Sequence, residues 1–148
     1  MLAMRRVLGV LLLLAASVPA LAIDYRSVVT PAAILYDSPS KSAKKLYLIK
    51  AQTPVEVIVK LDGWSKVRDA EGTLAWIETR SLGERRTLVV TAAKAEIRQA
   101  ERPDAPIVAE LDKWVVLELV EPASPGWAKA RHRDGATGYV RSTQVWGL

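Results

Sequence analysis

The chain has 148 residues, no cysteine, and 21 basic against 16 acidic side chains, which gives a formal net charge of +5 at neutral pH. Without cysteine the chain forms no disulfides, so its stability must come from packing and hydrogen bonding. The basic residues are interleaved with acids along the chain, which is typical of a soluble protein and argues against the basic stripe of a nucleic-acid-binding domain.

Residues 1–22 have the layout of a secretory signal peptide. A basic start at Arg5 and Arg6 precedes an apolar run over residues 7–16, and small residues close the segment. Signal peptidase accepts small side chains at two positions before its cut, so we expect cleavage after Ala22. The apolar run is shorter than the roughly 20 residues that span a bilayer, and an uncleaved membrane anchor is the alternative. We therefore expect the mature protein to be periplasmic or secreted and to meet the membrane only through the signal peptide.

The segment after residue 22 reads as short strands separated by turns. Val55, Val57 and Val59 alternate with other side chains at the period of a strand, and Leu117-Glu118-Leu119 repeats this alternation. Turns rich in Gly, Asp, Pro and Ser return about every 8 to 12 residues, which is typical of a small β-barrel or sandwich. We predict an all-β protein with almost no helix after residue 22.

The strand pattern occurs twice in the chain. Gly63-Trp64-Ser65-Lys66-Val67-Arg68 returns 63 residues later as Gly126-Trp127-Ala128-Lys129-Ala130-Arg131, and Trp76-Ile77 returns as Tyr139-Val140. A match that keeps register across a turn, its flanking segments and an aromatic anchor implies two copies of one unit. Ile77 and Val140 are predicted core residues in both copies.

Two domains follow from this repeat, residues 24–83 and 85–148. When the two copies are aligned, the residue numbers of equivalent positions differ by an offset that varies along the chain. The offset is 63 where Leu48 aligns with Leu111, 62 where Val55 aligns with Leu117, and 63 again at the Gly-Trp pairs. We expect one residue to be lost and one regained, each in a turn, where insertions cost little.

The order of these motifs resembles that of the bacterial SH3 domain. The matching segments are residues 48–50, 55–57, 63–67 and 72–77 in the first copy, and residues 111–113, 117–119, 126–130 and 135–140 in the second. The resemblance implies two tandem SH3-like barrels and a non-catalytic binding module, often one that holds an enzyme or a receptor at peptidoglycan or at a protein partner.

The copies depart from the family at the glycine that usually follows the lysine before the alternating strand. This chain has Ala51 and Trp114 there. Trp114 is a candidate for contact with the other domain or with a partner, and the alternative is that it folds back over its own barrel. Trp146 is a second candidate for such a contact.

Six residues are candidates for ligand binding: Trp64, Lys66, Trp76, Trp127, Lys129 and Tyr139. Strand alternation places the tryptophan and lysine of each Gly-Trp-x-Lys segment on the same side. Such an aromatic shelf flanked by cations is suited to stack on sugar or peptide groups and to attract carboxylates. The alternative is structural, because the aliphatic stems of Lys and Arg can cover a tryptophan that is only half-buried.

Catalytic residues are few. The single histidine, His132, lies between Arg131 and Arg133, and no serine lies in a strand-turn-helix nucleophile context. No cluster has the spacing of metal ligands. We therefore predict no enzyme, no metal and no cofactor.

Two functions stay open. The leading hypothesis is an exported protein that binds a cell-envelope ligand such as peptidoglycan or its peptides. The alternative is a structural or adaptor protein that docks another envelope protein. The first predicts that wall fragments are retained, and the second that a protein partner co-purifies.

Overall fold

The computed structural model describes residues 21–122 and 124–148. The predicted signal peptide lies outside this part of the chain except for Leu21 and Ala22, which are exposed and have no regular secondary structure. Among the described residues, no helix has the length and apolar character needed to cross a membrane.

The described chain is almost entirely β-structure, and the all-β prediction is confirmed. The first copy contributes seven strands: β1 (Tyr25–Val28), β2 (Ala32–Tyr36), β3 (Lys45–Lys50), β4 (Pro54–Leu61), β5 (Trp64–Arg68), β6 (Leu74–Glu78) and β7 (Leu82–Gly83). The second contributes seven more: β8 (Thr87–Val90), β9 (Lys94–Arg98), β10 (Ile107–Asp112), β11 (Val116–Pro122), β12 (Trp127–Arg131), β13 (Thr137–Arg141) and β14 (Val145–Trp146). A single turn of 3₁₀ helix precedes the last strand of each copy, at Thr79–Ser81 and Ser142–Gln144.

Both copies have the same topology. The strand order is β3-β2-β6-β5-β4-β1-β7 in the first antiparallel sheet and β10-β9-β13-β12-β11-β8-β14 in the second. In each sheet the last strand returns to pair with the first, where Val28 lies opposite Leu82 and Val90 lies opposite Val145.

Each sheet encloses its own apolar core. The first core is formed by Val28, Ala33, Leu35, Ile49, Val55, Val67, Ala75 and Ile77. The second is formed by Leu88, Val90, Ala95, Ile97, Leu111, Leu117, Ala128, Ala130, Val140 and Val145. No residue belongs to both, so the tandem arrangement is built from two separate cores. Ile77 and Val140 are fully buried, as predicted.

The register between the copies changes once, and our prediction of two changes was wrong. Ile49 lies opposite Ala33 just as Leu111 lies opposite Ala95, so Ile49 and not Leu48 is the counterpart of Leu111. Leu48 is 68% exposed, whereas Leu111 is buried. Because successive side chains of a strand point to opposite faces, a shift of one residue would have turned Leu48 into the core and Ile49 outward. The offset is therefore 62 throughout the first part of each copy.

The single change of offset lies in one hairpin turn. Lys60 lies opposite Ser65 in the first copy, and Pro122 lies opposite Ala128 in the second. The second turn is one residue longer than the first, so the offset is 63 from the Gly-Trp pairs onward. A solvated turn accepts the additional residue without disturbing either strand.

With the corrected register, the position at which the family usually has glycine is Gln52, and not Ala51, in the first copy. It remains Trp114 in the second. Gln52 has φ 65° and Trp114 has φ 73°, both in the left-handed region, and the amides of both donate to the first strand of their copy, at Val28 and Val90. Ala51, the residue that the sequence predicted for this position, does not have this conformation. The left-handed region costs a residue with a Cβ about 1–2 kcal/mol.

Replacing Gln52 by glycine is therefore expected to stabilise the protein. Glycine removes the left-handed penalty of about 1–2 kcal/mol, which exceeds its loss of about 0.5–1 kcal/mol from greater freedom in the unfolded chain. The backbone carbonyl of Gln52 keeps its hydrogen bond. We expect the free energy of unfolding in urea to rise by about 0.5–1 kcal/mol.

Ala51→Gly is the matched control for this substitution. Ala51 is exposed like its neighbour but lacks the left-handed φ, so glycine there should lower the free energy of unfolding. Changes of equal sign and size in the two variants would contradict the corrected register.

The two copies are in contact through β8. Leu88 and Val90 face the second core, yet Thr87 and Val89 on the opposite side of this strand are also buried. The Thr87 hydroxyl donates to the carbonyl of Gln52 in the first copy at 2.7 Å. The first domain thus covers the outer side of β8.

A second contact surrounds Tyr25 in β1. The ring of Trp146 meets the ring of Tyr25 edge-on, with centroids 5.1 Å apart. The guanidinium of Arg86 lies 5.2 Å from the Tyr25 ring centroid and donates to the carbonyl of Gly147 at 2.6 Å. Arg86, in the short connection between the domains, is thereby held by both of them.

Candidate functional site

The outer face of the first domain brings three of the predicted site residues together. Trp64, Lys66 and Trp76 point away from the core, and Lys66 lies opposite Trp76 across β5 and β6. The ammonium of Lys66 is 6.0 Å from the Trp76 ring centroid. All three side chains are half-buried and retain solvent-accessible surface.

Tyr36 completes this face and is not among the six ligand-binding residues predicted from the sequence. It lies opposite Trp76 on β2, and its ring meets Trp64 edge-on at 5.3 Å between centroids. Tyr36 is buried, so it supports Trp64 from below. We name Tyr36, Trp64, Lys66 and Trp76 the first outer face.

The second domain repeats this arrangement with a different charge. Lys129 lies opposite Tyr139, and Trp127 lies opposite Arg141, whose guanidinium is 5.1 Å from the Trp127 ring centroid. Arg98 lies opposite Tyr139 on the other side. We name Arg98, Trp127, Lys129, Tyr139 and Arg141 the second outer face.

The charge difference between the faces arises at two equivalent positions. Arg98 replaces Tyr36, and Arg141 replaces Glu78. Glu78 accepts from Arg80 at 2.8 Å, whereas Arg98 pairs with Glu96. In the second outer face Arg98 and Lys129 are paired with Glu96 and Glu121, which leaves Arg141 beside the Trp127 ring as the cation that can meet a carboxylate. In the first outer face Lys66 beside the Trp76 ring has this role.

A groove lies between the domains, away from the two outer faces. It consists of two adjoining cavities of about 300 and about 460 Å³. Both cavities are lined by Gln52 of the first domain and by Val116, His132 and Arg133 of the second. We call this the interdomain groove.

The groove is rich in basic side chains. Glu118 pairs with Arg85 at 3.1 Å and with Arg131 at 3.5 Å. Lys50 and Arg133 also line the groove, and within the described part of the chain neither forms an ion pair. A surplus of positive charge therefore faces the groove.

His132 is held in place by the turn that carries it. Its Nδ1 lies 2.9 Å from a carboxylate oxygen of Asp134. The amide N–H of Ala136, together with His132, holds the pKa of Asp134 below its usual value. Asp134 thus stays ionised and positions the imidazole at the groove.

Trp114 and Trp146 both lie at the contact between the domains. Trp114 lines the interdomain groove beside residues 50–53, and its indole also borders a smaller cavity with Tyr47 and Asp69 of the first domain. It keeps 45% of its surface exposed, and the Lys113 ammonium lies 4.6 Å from its ring centroid. Trp146 instead packs against Tyr25.

Tyr47 acts as a hydrogen-bond donor at this boundary. Its hydroxyl donates to the carboxylate of Asp69 at 2.8 Å. Burial, and then the bond to Asp69, raise the pKa of Tyr47 above its ordinary value, so the phenol stays protonated at neutral pH.

Among residues 21–122 and 124–148, no cluster of three or more His, Cys, Asp or Glu side chains could hold a metal ion.

Comparison with known families decides the identity of the fold. The profile of the bacterial SH3 domain matches residues 29–84 and, a second time, residues 91–147. The chain belongs to the bacterial SH3 domain family. Each match falls within one of the two sheets, so the prediction of two tandem SH3-like domains is confirmed.

Solved structures with some likeness to this tandem SH3 protein are larger than it. NlpC2 from Trichomonas vaginalis is 16% identical with a TM-score of 0.41, covering 86% of this chain and 49% of its own. NlpC1 from the same organism is 19% identical with a TM-score of 0.40, covering 93% and 50%. An NlpC/P60 family protein from Bacillus cereus is 14% identical with a TM-score of 0.37, covering 83% and 56%.

This chain spans about half the length of those structures. A comparison with curated proteins found no significant match. The family assignment therefore rests on the two profile matches.

Proposed function

We propose that this protein is an exported, non-catalytic pair of SH3 domains that binds a cell-envelope ligand, with peptidoglycan or its peptides as the preferred class. The observation that carries this proposal is the recurrence of one outward aromatic and lysine arrangement, Trp64–Lys66–Trp76 and Trp127–Lys129–Tyr139, in both domains. The signal-peptide pattern of residues 1–22 and the wall-binding roles common in the family support it.

Each outer face offers the contacts that wall fragments require. Half-buried indole rings present flat apolar surface for sugar rings and peptide groups, and their rigidity lowers the entropy cost of binding. The ammonium of Lys66 on the first face and the guanidinium of Arg141 on the second can pair with peptide carboxylates. Neither face is a deep pocket, so each is expected to bind weakly alone.

Two weak faces on one chain gain from a polymeric ligand. When one domain has bound, the other searches a small volume that contains further repeats of the same polymer. Intact wall should therefore be retained far better than a soluble monomeric fragment. The different charge of the two faces would let them contact different parts of a repeat.

The test is sedimentation of the full chain with purified peptidoglycan. Trp64→Ala and Trp127→Ala are each expected to weaken binding by about tenfold, since buried aromatic anchors carry much of the energy at such surfaces. The double variant should lose wall binding. Trp64→Tyr and Trp127→Tyr keep a flat ring and should retain most of it.

The tyrosine variants also separate binding from folding. Trp64→Ala removes packing against Tyr36 and is expected to lower the melting temperature, so binding is measured well below the melting transition. Wild-type protein that fails to sediment with peptidoglycan, or alanine variants that bind like wild type, would overturn the proposal. A protein partner that co-purifies without wall material would favour the adaptor function instead.

A further inference from the structure

The interdomain groove carries an inference that is independent of wall binding at the outer faces. Its walls come from both domains, with Lys50 and Gln52 on one side and Trp114, His132 and Arg133 on the other. Its larger cavity, of about 460 Å³, lies within the size range of small-molecule pockets, about 300–1,000 Å³.

One wall of the groove is a turn whose basic residues occur in the second copy and not in the first. The turn His132-Arg133-Asp134-Gly135 faces the groove, and its counterpart in the first copy is Asp69-Ala70-Glu71-Gly72. A turn with two acids in one copy thus carries one acid, an arginine and a histidine in the other.

The fold of the turn does not require this change. In the first copy the N–H of Gly72 donates to the carbonyl of Asp69 at 3.0 Å, and in the second the N–H of Gly135 donates to the carbonyl of His132 at 2.9 Å. The same backbone bonds close both turns. The backbone bonds that close the turn therefore do not depend on these side chains, and Arg133 adds positive potential where the domains meet.

Trp114 provides a second and independent observation. A large side chain at φ 73° is an outlier, because glycine would adopt this conformation without strain. The indole nevertheless stays 45% exposed on the groove wall, so its packing is incomplete. Gln52 has the same conformation at the equivalent position, so the backbone belongs to the fold, and the exposed indole is what is particular to the groove.

We propose that the interdomain groove binds an anionic group, a carboxylate or a phosphate, attached to a body that packs on Trp114. Arg133 and Lys50 supply the positive charges that the described part of the chain leaves without an acidic partner. The planar guanidinium of Arg133 suits the two oxygens of either anion. His132, held by Asp134 through Nδ1, lies beside this position on the groove wall.

The test is an NMR titration of the full chain at constant ionic strength. The probes are N-acetyl-alanyl-alanine, its C-terminal amide and inorganic phosphate. The signals followed are the indole N–H of Trp114 and the imidazole of His132. We expect a saturable shift with the acid or with phosphate and none with the neutral amide. The anion that saturates at the lower concentration shows whether the groove prefers a carboxylate or a phosphate.

Substitutions locate the site. Arg133→Ala and Lys50→Ala should each raise the dissociation constant about tenfold, the loss expected for one charge-assisted contact. Arg102→Ala is the matched control, because Arg102 is an exposed arginine of the same domain that does not line the groove. Trp114→Gly suits the local backbone, so the protein should stay folded while binding weakens.

Three results would overturn the proposal. The first is the absence of a saturable shift with either anion. The second is an equal response to the acid and to its amide, since charge would then play no part. The third is a loss in Arg102→Ala as large as that in Arg133→Ala, which would indicate general attraction to a basic protein.

Discussion

Replacing Gly138 by alanine is expected to unfold or nearly unfold the second domain. A Cβ at this position would lie 2.3 Å from the carbonyl oxygen of Arg98 and 2.8 Å from a methyl group of Ile97, so β13 and β9 would have to separate. Overpacking of this kind against backbone costs about 3 kcal/mol or more. The midpoint of thermal unfolding should fall by about 12 °C or more, because each kcal/mol shifts it by about 4–8 °C in a domain of this size.

Gly135→Ala is the control for that variant. Gly135 has φ +98°, but a Cβ added there would meet open space, so alanine incurs backbone strain without a collision. We expect a loss of about 1–2 kcal/mol. In the first domain the equivalent of Gly138 is Ala75, whose methyl group is buried in the core. A Gly138→Ala variant no less stable than Gly135→Ala would contradict the close approach of β13 and β9.

Ile77→Ala should destabilise the first domain by about 2–5 kcal/mol, the range for truncating a buried isoleucine. Ile77 is fully buried in the first core. Because the second core contains none of the same residues, the amide NMR signals of the second domain should keep their dispersion at temperatures where those of the first domain are lost.

Leu74→Ala tests whether burial is the cause. Leu74 lies on the same strand as Ile77 but is 46% exposed, so its truncation should change stability by no more than about 0.5–1 kcal/mol. If Ile77→Ala removes the signals of both domains together, the contact through Thr87 and Val89 couples the two cores into one cooperative unit, and the expectation of separate unfolding is wrong.

Much of the fold could be predicted because its signals are local. The alternation at Val55 and Val57 identified β4, and the repeated Gly-Trp-x-Lys segment showed that one unit occurs twice. The alternation fails at Val59, because a bulge after Val57 places Val59 opposite Lys66, where it is 41% exposed. The same alternation placed Ser65 and Val67 inward and Trp64 and Lys66 outward, as the structure has them. These features depend on neighbours in sequence and need no knowledge of the partner strand.

The composition of the candidate site was less predictable. Tyr36 is 28 residues from Trp64 and was not recognised as its support, and Arg98 was not recognised as a neighbour of Tyr139. Pairing between β2 and β6, or between β9 and β13, joins segments that are far apart in sequence. Their contacts follow from the sheet order.

The sequence by itself determined that this protein consists of two copies of a β-rich unit, and which side chains of most strands turn inward. Tertiary structure decided the register at Ile49 and Leu111, the left-handed position at Gln52, and the presence of both Lys50 and Arg133 in the lining of the interdomain groove. Alternation is a property of a single strand, whereas register and interdomain contact depend on the summed packing of segments distant in sequence.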